Sequence, residues 1–262
     1  MELTTEKTTM AAKHKILVID DEAVILDSAR KILSAEGFEV RTAEAAESAL
    51  DILQTGAPDA ILIDLKLPGL SGMELLDIVR KNLPQVAAIM MTGYSTLDNA
   101  VTSLKNGAFD FLPKPFTFEE LLSTVLRASR FIDLPMAERS LGLNGNVPNR
   151  YHLGMHSWTK IDLDGTAQLG ITNLFQRTVG HITQIELPQL NHQIQQGNLL
   201  VRVAAEDQMV HTVWAALSGR VMALNDKVQG NPHLLNKDPF GEGWLVRIIP
   251  DNLENELAHL SA

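Results

Sequence analysis

The sequence predicts an α/β domain on a five-stranded parallel sheet, followed by a smaller, mostly β domain. Three observations carry this. Up to about Arg130, short apolar runs alternate with amphipathic stretches; beyond Tyr151 the segments are short and broken by turn residues; and 262 residues exceed the usual size of one core.

The run ILVI (Ile16 to Ile19) is continuous and rich in β-branched residues, as expected of a strand covered on both faces. From Ala23 to Leu33, Val24, Ile25, Ser28, Ala29, Ile32 and Leu33 recur at helical spacing. A strand is expected through Phe38–Val40 and a helix over Glu44–Gln54, ended by Gly56-Ala57-Pro58. AILI (Ala60 to Ile63) leads into Asp64, and Pro68-Gly69 breaks the chain before a helix near Ser71–Lys81. A strand Ala87–Met91, a helix Thr96–Lys105, a strand Phe109–Leu112 and a helix Phe118–Phe131 complete the alternation. Five strands alternating with five helices imply a doubly wound sheet, with helices on both faces.

The stretch 1–14 reads as a disordered N-terminus and 15–131 as the first domain. A linker is expected over 132–150, where PMAERSLGLNGNVPN is rich in Gly, Pro and Asn. In the second domain, 151–262, LLVRVA and WLVRII read as strands, with turns at Asp164-Gly165, Gly180, Gly197-Asn198 and Ser218-Gly219. A short helix over Leu253–Leu260 closes the chain.

There is no cysteine, which excludes disulfides, thiolate metal sites and cysteine nucleophiles. The start MELTTEKTTMAAK lacks the apolar core of a signal peptide, and no apolar run approaches a membrane span, so a cytoplasmic protein is expected. Residues 1–130 hold 13 Lys and Arg against 19 Asp and Glu, and 131–262 hold 9 against 13. Neither half has the basic footprint that nucleic-acid binding needs.

In a parallel sheet, functional groups collect at the carboxyl ends of the strands. Those ends here carry Asp20-Asp21-Glu22, Asp64, Thr92 and Lys114. Carboxylates gathered at one edge repel one another and call for a divalent cation, and oxygen donors point to Mg²⁺ or Mn²⁺.

The segments ILVIDDE, LIDLKLPGLSG, MTGYS and FLPKPF resemble the signature segments of the response-regulator receiver family, over about Lys15 to Arg130. The resemblance implies a flavodoxin-like fold with Asp64 as phosphoacceptor. It further implies a metal site of Asp20, Asp21, Asp64 and the backbone carbonyl of Lys66. Thr92 then matches the switch hydroxyl, Lys114 the lysine before a cis-proline (Pro115), Phe111 the switch aromatic and Gly93 the small residue guarding access. A sensor histidine kinase or phosphotransfer protein is the implied phosphoryl source. SLKNGAFDFLPKPF is closest to receivers of the nitrogen-regulator type, yet no Walker A motif and no basic helix-turn-helix follows.

The second domain shows no catalytic constellation. His152 and His156 are four apart in a loop-like stretch where that spacing does not align side chains, and Asp162, Asp164 and Gly165 read as a hairpin turn. HSW, DLDGTAQLGIT, VGHITQIELPQLNHQIQQGNLL, WAALSGRVMALND and above all DPFGEGWL (Asp238 to Leu245) resemble the H-protein of the glycine cleavage system. The resemblance implies a barrel-sandwich hybrid of the lipoyl-carrier type. That family carries a lipoyl lysine on a hairpin; here the position falls on Gln208, and no lysine occurs between Lys160 and Lys227. A carboxamide nitrogen has no available lone pair with which to form the amide, so no lipoate is expected.

The expected reading is a response regulator with a non-lipoylated, protein-binding output domain for an unidentified partner, and no independent catalytic domain. A receiver-controlled metabolic carrier and a transcriptional regulator are the alternatives. The amphipathic stretch Thr117–Phe131 permits a homodimer through the receiver.

Overall fold

A computed structural model of the protein describes residues 14–93, 97–141 and 149–261. The first domain runs β1 (Lys15–Ile19), α1 (Ala23–Ala35), β2 (Glu39–Ala43), α2 (Ala46–Thr55), β3 (Ala60–Asp64), α3 (Gly72–Asn82), β4 (Ala87–Gly93), α4 (Leu97–Lys105), β5 (Asp110–Lys114) and α5 (Phe118–Asp133). Its five strands are parallel in the order β2-β1-β3-β4-β5, which leaves β5 as an edge. All residues of β3 are buried, because helices cover both faces. On one face Leu26, Leu33, Leu121 and Val125 of α1 and α5 pack on Val18 and Leu62. On the other, Leu75, Val79 and Leu104 pack on Ile61, Ile63 and Met90.

Helix starts follow local chemistry. Ser71 and Glu74 form a reciprocal capping box at α3, and Thr117 and Glu120 form another at α5. The strand expected through Phe38–Val40 lies further on, at Glu39–Ala43, where Thr42 and Ala43 continue the pairing with β1. The stretch expected as linker is partly helical. α5 continues to Asp133, and α6 (Met136–Leu141) follows Pro135, with the Arg139 guanidinium donating to the Leu134 and Ile132 carbonyls. Pro pre-sets the backbone for a helix start, and MAERSL is composed mainly of helix formers. The expected disorder of 1–14 lies outside the described residues except at His14, as do Gly142 and Gly145.

The second domain continues β6 (Arg150–Leu153), β7 (Ser157–Ile161), β8 (Ala167–Ile171), α7 (Asn173–Val179), β9 (Ile182–Glu186), β10 (Gln193–Ile194) and β11 (Leu199–Ala205). It ends with β12 (Val210–Trp214), β13 (Gly219–Leu224), α8 (Asp226–Gly230), α9 (His233–Lys237), β14 (Val246–Pro250) and α10 (Leu253–Leu257). A six-stranded sheet, β10-β13-β14-β8-β7-β6, and a three-stranded sheet, β12-β11-β9, enclose Leu169, Ile171, Val201, Val203, Val213, Val221 and Ile248. Asp162–Thr166 forms the expected hairpin turn between β7 and β8, with Gly165 at φ 80°. Trp158 anchors this core: it is wholly buried, its Nε1 donates to the Pro239 carbonyl at 3.0 Å, and Gly170 lies beneath its ring. A Cβ at Gly170 would come within 2.5 Å of that ring, so only glycine fits. The DPFGEGWL segment is a tight loop in which both Asp238 carboxylate oxygens accept backbone N–H bonds, from Gly241 and Glu242.

The second domain packs on the β5 edge, α4 and α5 of the first. The Lys105 ammonium donates to the Ala258 carbonyl at 2.5 Å, and the Arg130 guanidinium donates to the Val179 carbonyl at 2.7 Å. Among the described residues, no helix is long and apolar enough to cross a membrane.

Candidate functional site

The carboxyl ends of β1, β3 and β5 bring Asp20, Asp64 and Lys114 together. Lys114 Nζ lies 2.6 Å from Asp20 Oδ2, 2.7 Å from Asp64 Oδ1 and 3.5 Å from Glu22 Oε1. Asp20 is wholly buried and Asp64 nearly so, at 5% exposure. Burial raises the Asp20 carboxyl above its ordinary value even though Lys114 pulls the other way. Burial would lower Lys114, but its bonds to Asp20 and Asp64 outweigh that and raise it. Three carboxylates thus share one ammonium, an imbalance that a divalent cation would correct. The donors are oxygens, the type that Mg²⁺ or Mn²⁺ takes, but Lys114 bridges Asp20 and Asp64, and among the described residues no three acids are grouped closely enough to hold a metal ion.

The remaining expected residues occupy distinct places around this cluster. Lys66 N–H donates to Asp64 Oδ2 at 2.8 Å, which keeps the Lys66 backbone at the site. Asp21 is exposed, unlike Asp20 beside it in the chain. Thr92 is buried at the end of β4, its Oγ1 3.2 Å from the Gly93 carbonyl oxygen. A Cβ on Gly93 would meet no described atom within 4 Å. The Lys114–Pro115 peptide is cis. Gly72 explains part of the LPGLSG segment: a Cβ there would lie 2.1 Å from the Asp64 carbonyl oxygen, so glycine lets α3 start against the strand that presents Asp64.

Phe111 does not join the carboxylates. It begins three residues before Lys114 and stacks on Trp214 of the second domain, with ring centroids 4.3 Å apart and planes at 19°. Beside it lies a buried cluster for which the sequence reading assigned nothing. Asp110 pairs with Arg127 of α5, lies 2.9 Å from His156 Nε2 and accepts from Trp214 Nε1 at 3.0 Å. Burial would raise the Asp110 carboxyl, but His156 and Arg127 beside it hold it well below the carboxylate range. The Arg127 guanidinium also lies between the rings of Phe109 and Phe175, 5.0 and 4.7 Å from their centroids. The sequence held a partial signal, an Asp inside the apolar run FDFL and an Arg on the apolar stripe of α5. His152 lies in β6, facing Phe240 edge-on, so the two histidines four apart serve different surroundings.

Gln208 stands exposed at the tip of the β11–β12 hairpin, in a left-handed conformation at φ 64°. Its N–H donates to the Ala205 carbonyl at 2.9 Å, closing the turn. Next to it, Asp207 pairs with Arg130 of α5.

Comparison with known proteins agrees with this division. Residues 16–126 match the family model of the response regulator receiver domain, and residues 150–262 that of the glycine cleavage H-protein. The nitrogen assimilation regulatory protein NtrX of Azorhizobium caulinodans is 38% identical over 130 residues, which are 49% of this chain and 29% of that regulator. The glycine cleavage system H protein of Psychrobacter sp. is 36% identical over 118 residues, 45% of this chain and 93% of that protein. The crystal structure of the NtrX receiver domain from Brucella abortus is 41% identical and covers 43% of this chain and 96% of that one, with a TM-score of 0.42. The chain therefore spans less than a third of that curated regulator but nearly all of the H protein. Residues 16–126 thus match a response regulator receiver domain, and through residues 150–262 the chain belongs to the glycine cleavage H-protein family.

Proposed function

We propose that the protein is a two-component response regulator, phosphorylated on Asp64, whose H-protein-like domain is a protein-binding output and not a lipoyl carrier. The observation that carries the first half is the convergence of Asp20, Asp64 and Lys114 at one sheet edge. The one that carries the second is Gln208 at the hairpin tip.

The chemistry follows from the residues. A carboxylate oxygen of Asp64 attacks the phosphorus of a phosphohistidine or of acetyl phosphate, forming a P–O bond. The P–N or P–O bond to the donor breaks, and its electron pair leaves with imidazole or acetate. A bound Mg²⁺ would neutralise charge on the transferring phosphoryl oxygens. Lys114, already on Asp64, supplies a fixed positive charge to the same oxygens, and Thr92, buried at the end of β4, holds the switch-hydroxyl position that the receiver resemblance implies. No separate catalytic domain is assigned; hydrolysis of the acyl phosphate is the receiver's own return step. The phosphoryl source is a sensor histidine kinase or a phosphotransfer protein.

Two measurements test the output assignment. Intact mass after co-expression with lipoate-attachment enzymes is expected to show no lipoyl adduct on residues 150–262, and an adduct would return the domain to carrier chemistry. Affinity capture from the native host, using full-length protein with Mg²⁺ and beryllofluoride against Asp64→Asn, is expected to enrich a protein partner only with the loaded bait. Equal capture by both would mean that the second domain acts without reference to Asp64.

A further inference from the structure

We infer that the cleft between the two domains is a binding site for a small amphipathic carboxylate. The apolar body of the ligand lies against Leu199, Val210 and the residues of β5, and its carboxylate meets Arg202. The inference is independent of the chemistry at Asp64.

The cleft holds about 460 Å³, within the range of small-molecule sites, and it lies where such sites commonly form, between two domains. The first domain lines it with β5 and α5, the second with the stretch before β11 and with β11 and β12 themselves. Strand alternation decides which side chains of the second domain face it. Val210, Thr212 and Trp214 share one face of β12, and register sets Arg202 of β11 opposite Thr212 and Leu199 opposite Trp214. Trp214 stacks on Phe111, so this face looks toward the first domain. Val201, Val203 and Val213 are buried on the other face, in the core of the second domain.

The lining offers apolar surface with no protein to cover it. Leu199 and Val210 both border the cleft and remain 39% and 49% exposed. Leu112 and Pro113 border it from the first domain, so an apolar body seated there loses water on both sides.

The charges of the lining select an anion. Asp110 is already bound by Arg127, His156 and Trp214, and Glu120 accepts the Thr117 N–H in the capping box of α5. Arg202 differs: among the described residues its guanidinium has neither an ion pair nor a hydrogen bond. The Thr212 hydroxyl opposite it and the Thr124 hydroxyl on α5 also lack a hydrogen-bond partner among the described residues. A guanidinium presents a planar fork of donors that matches a carboxylate, and a hydroxyl beside it adds a further donor. A cationic ligand would leave Arg202 unpaired and set like charge beside it.

The test is calorimetric titration of the full chain with 4-phenylbutyrate, with 4-phenylbutanol and 4-phenylbutylamine as neutral and cationic isosteres. Wild type is expected to bind the carboxylate with Kd below about 1 mM and at least about 10-fold more tightly than the alcohol, with the amine weakest. Arg202→Gln is expected to remove the preference for the carboxylate and to leave binding of the alcohol unchanged. Val210→Trp, which fills the cleft from an exposed position, is expected to weaken both by at least about 10-fold. No saturable binding of the carboxylate would overturn the site. Equal affinity for acid and alcohol, or a preference that survives Arg202→Gln, would overturn the role of Arg202 and with it the ligand class. Binding that Val210→Trp does not change would place the ligand elsewhere and overturn the assignment to this cleft.

Discussion

Asp64→Asn is expected to lose phosphoryl acceptance from acetyl phosphate with Mg²⁺, by at least about 10³-fold in initial rate. The carboxamide keeps the shape and the hydrogen bond from the Lys66 N–H, but it removes the anionic nucleophile and the charge that faces Lys114. The measurement is intact mass or Phos-tag mobility over time. Labelling equal to wild type would show that another side chain accepts the phosphoryl group. Asp20→Asn gives a different pattern. It leaves the nucleophile in place and removes a buried anionic charge that the proposed Mg²⁺ would use, so the loss of rate is expected to diminish as Mg²⁺ concentration rises.

Asp110→Ala is expected to destabilise the protein by about 3–5 kcal/mol, because it leaves the buried Arg127 guanidinium without its counter-charge. Urea unfolding at neutral pH is the measurement, with Asp110→Asn as a milder comparison that retains an acceptor for Trp214 Nε1. A loss under about 1 kcal/mol would mean that water reaches Arg127, as at surface pairs. The pH dependence has a definite sign. The folded Asp110 carboxyl titrates below its unfolded value near 3.9, so its contribution is complete above that pH and is lost only as pH falls through the depressed native value. The part of the gap between wild type and Asp110→Ala that comes from titration of the Asp110 carboxyl itself should therefore be constant from about pH 7 to pH 5, and any slope there reports His156 and His211 beside it.

Which parts of the molecule were legible follows from what each depends on. The alternation of ILVI, AILI and their neighbours with amphipathic stretches is a local property, and it yields the parallel sheet, its helices and the strand ends. Since a parallel sheet aligns its carboxyl ends, knowing the elements already places Asp20, Asp64, Thr92 and Lys114 at one edge. Helix α6 is hidden within a segment of linker composition, because Gly, Pro and Asn dominate the residues around MAERSL. Helix α7 is hidden for a different reason. It is too short to show a helical period, and it depends on the Thr172 side chain capping Phe175 N–H.

The sequence by itself determined two folds and the carboxylate edge, because each rests on residue type at a position set by local pattern, whereas the position of Gln208 follows from the resemblance to the H-protein segments. Only the tertiary structure decided where Phe111 points, that Asp110 and Arg127 are buried with His156, and that Trp214 closes on both. Those contacts join residues 17 to 104 positions apart, the longest of them across two independently patterned domains. Nothing in either domain's own periodicity records which face the other will cover; that is settled by shape and charge once both have folded.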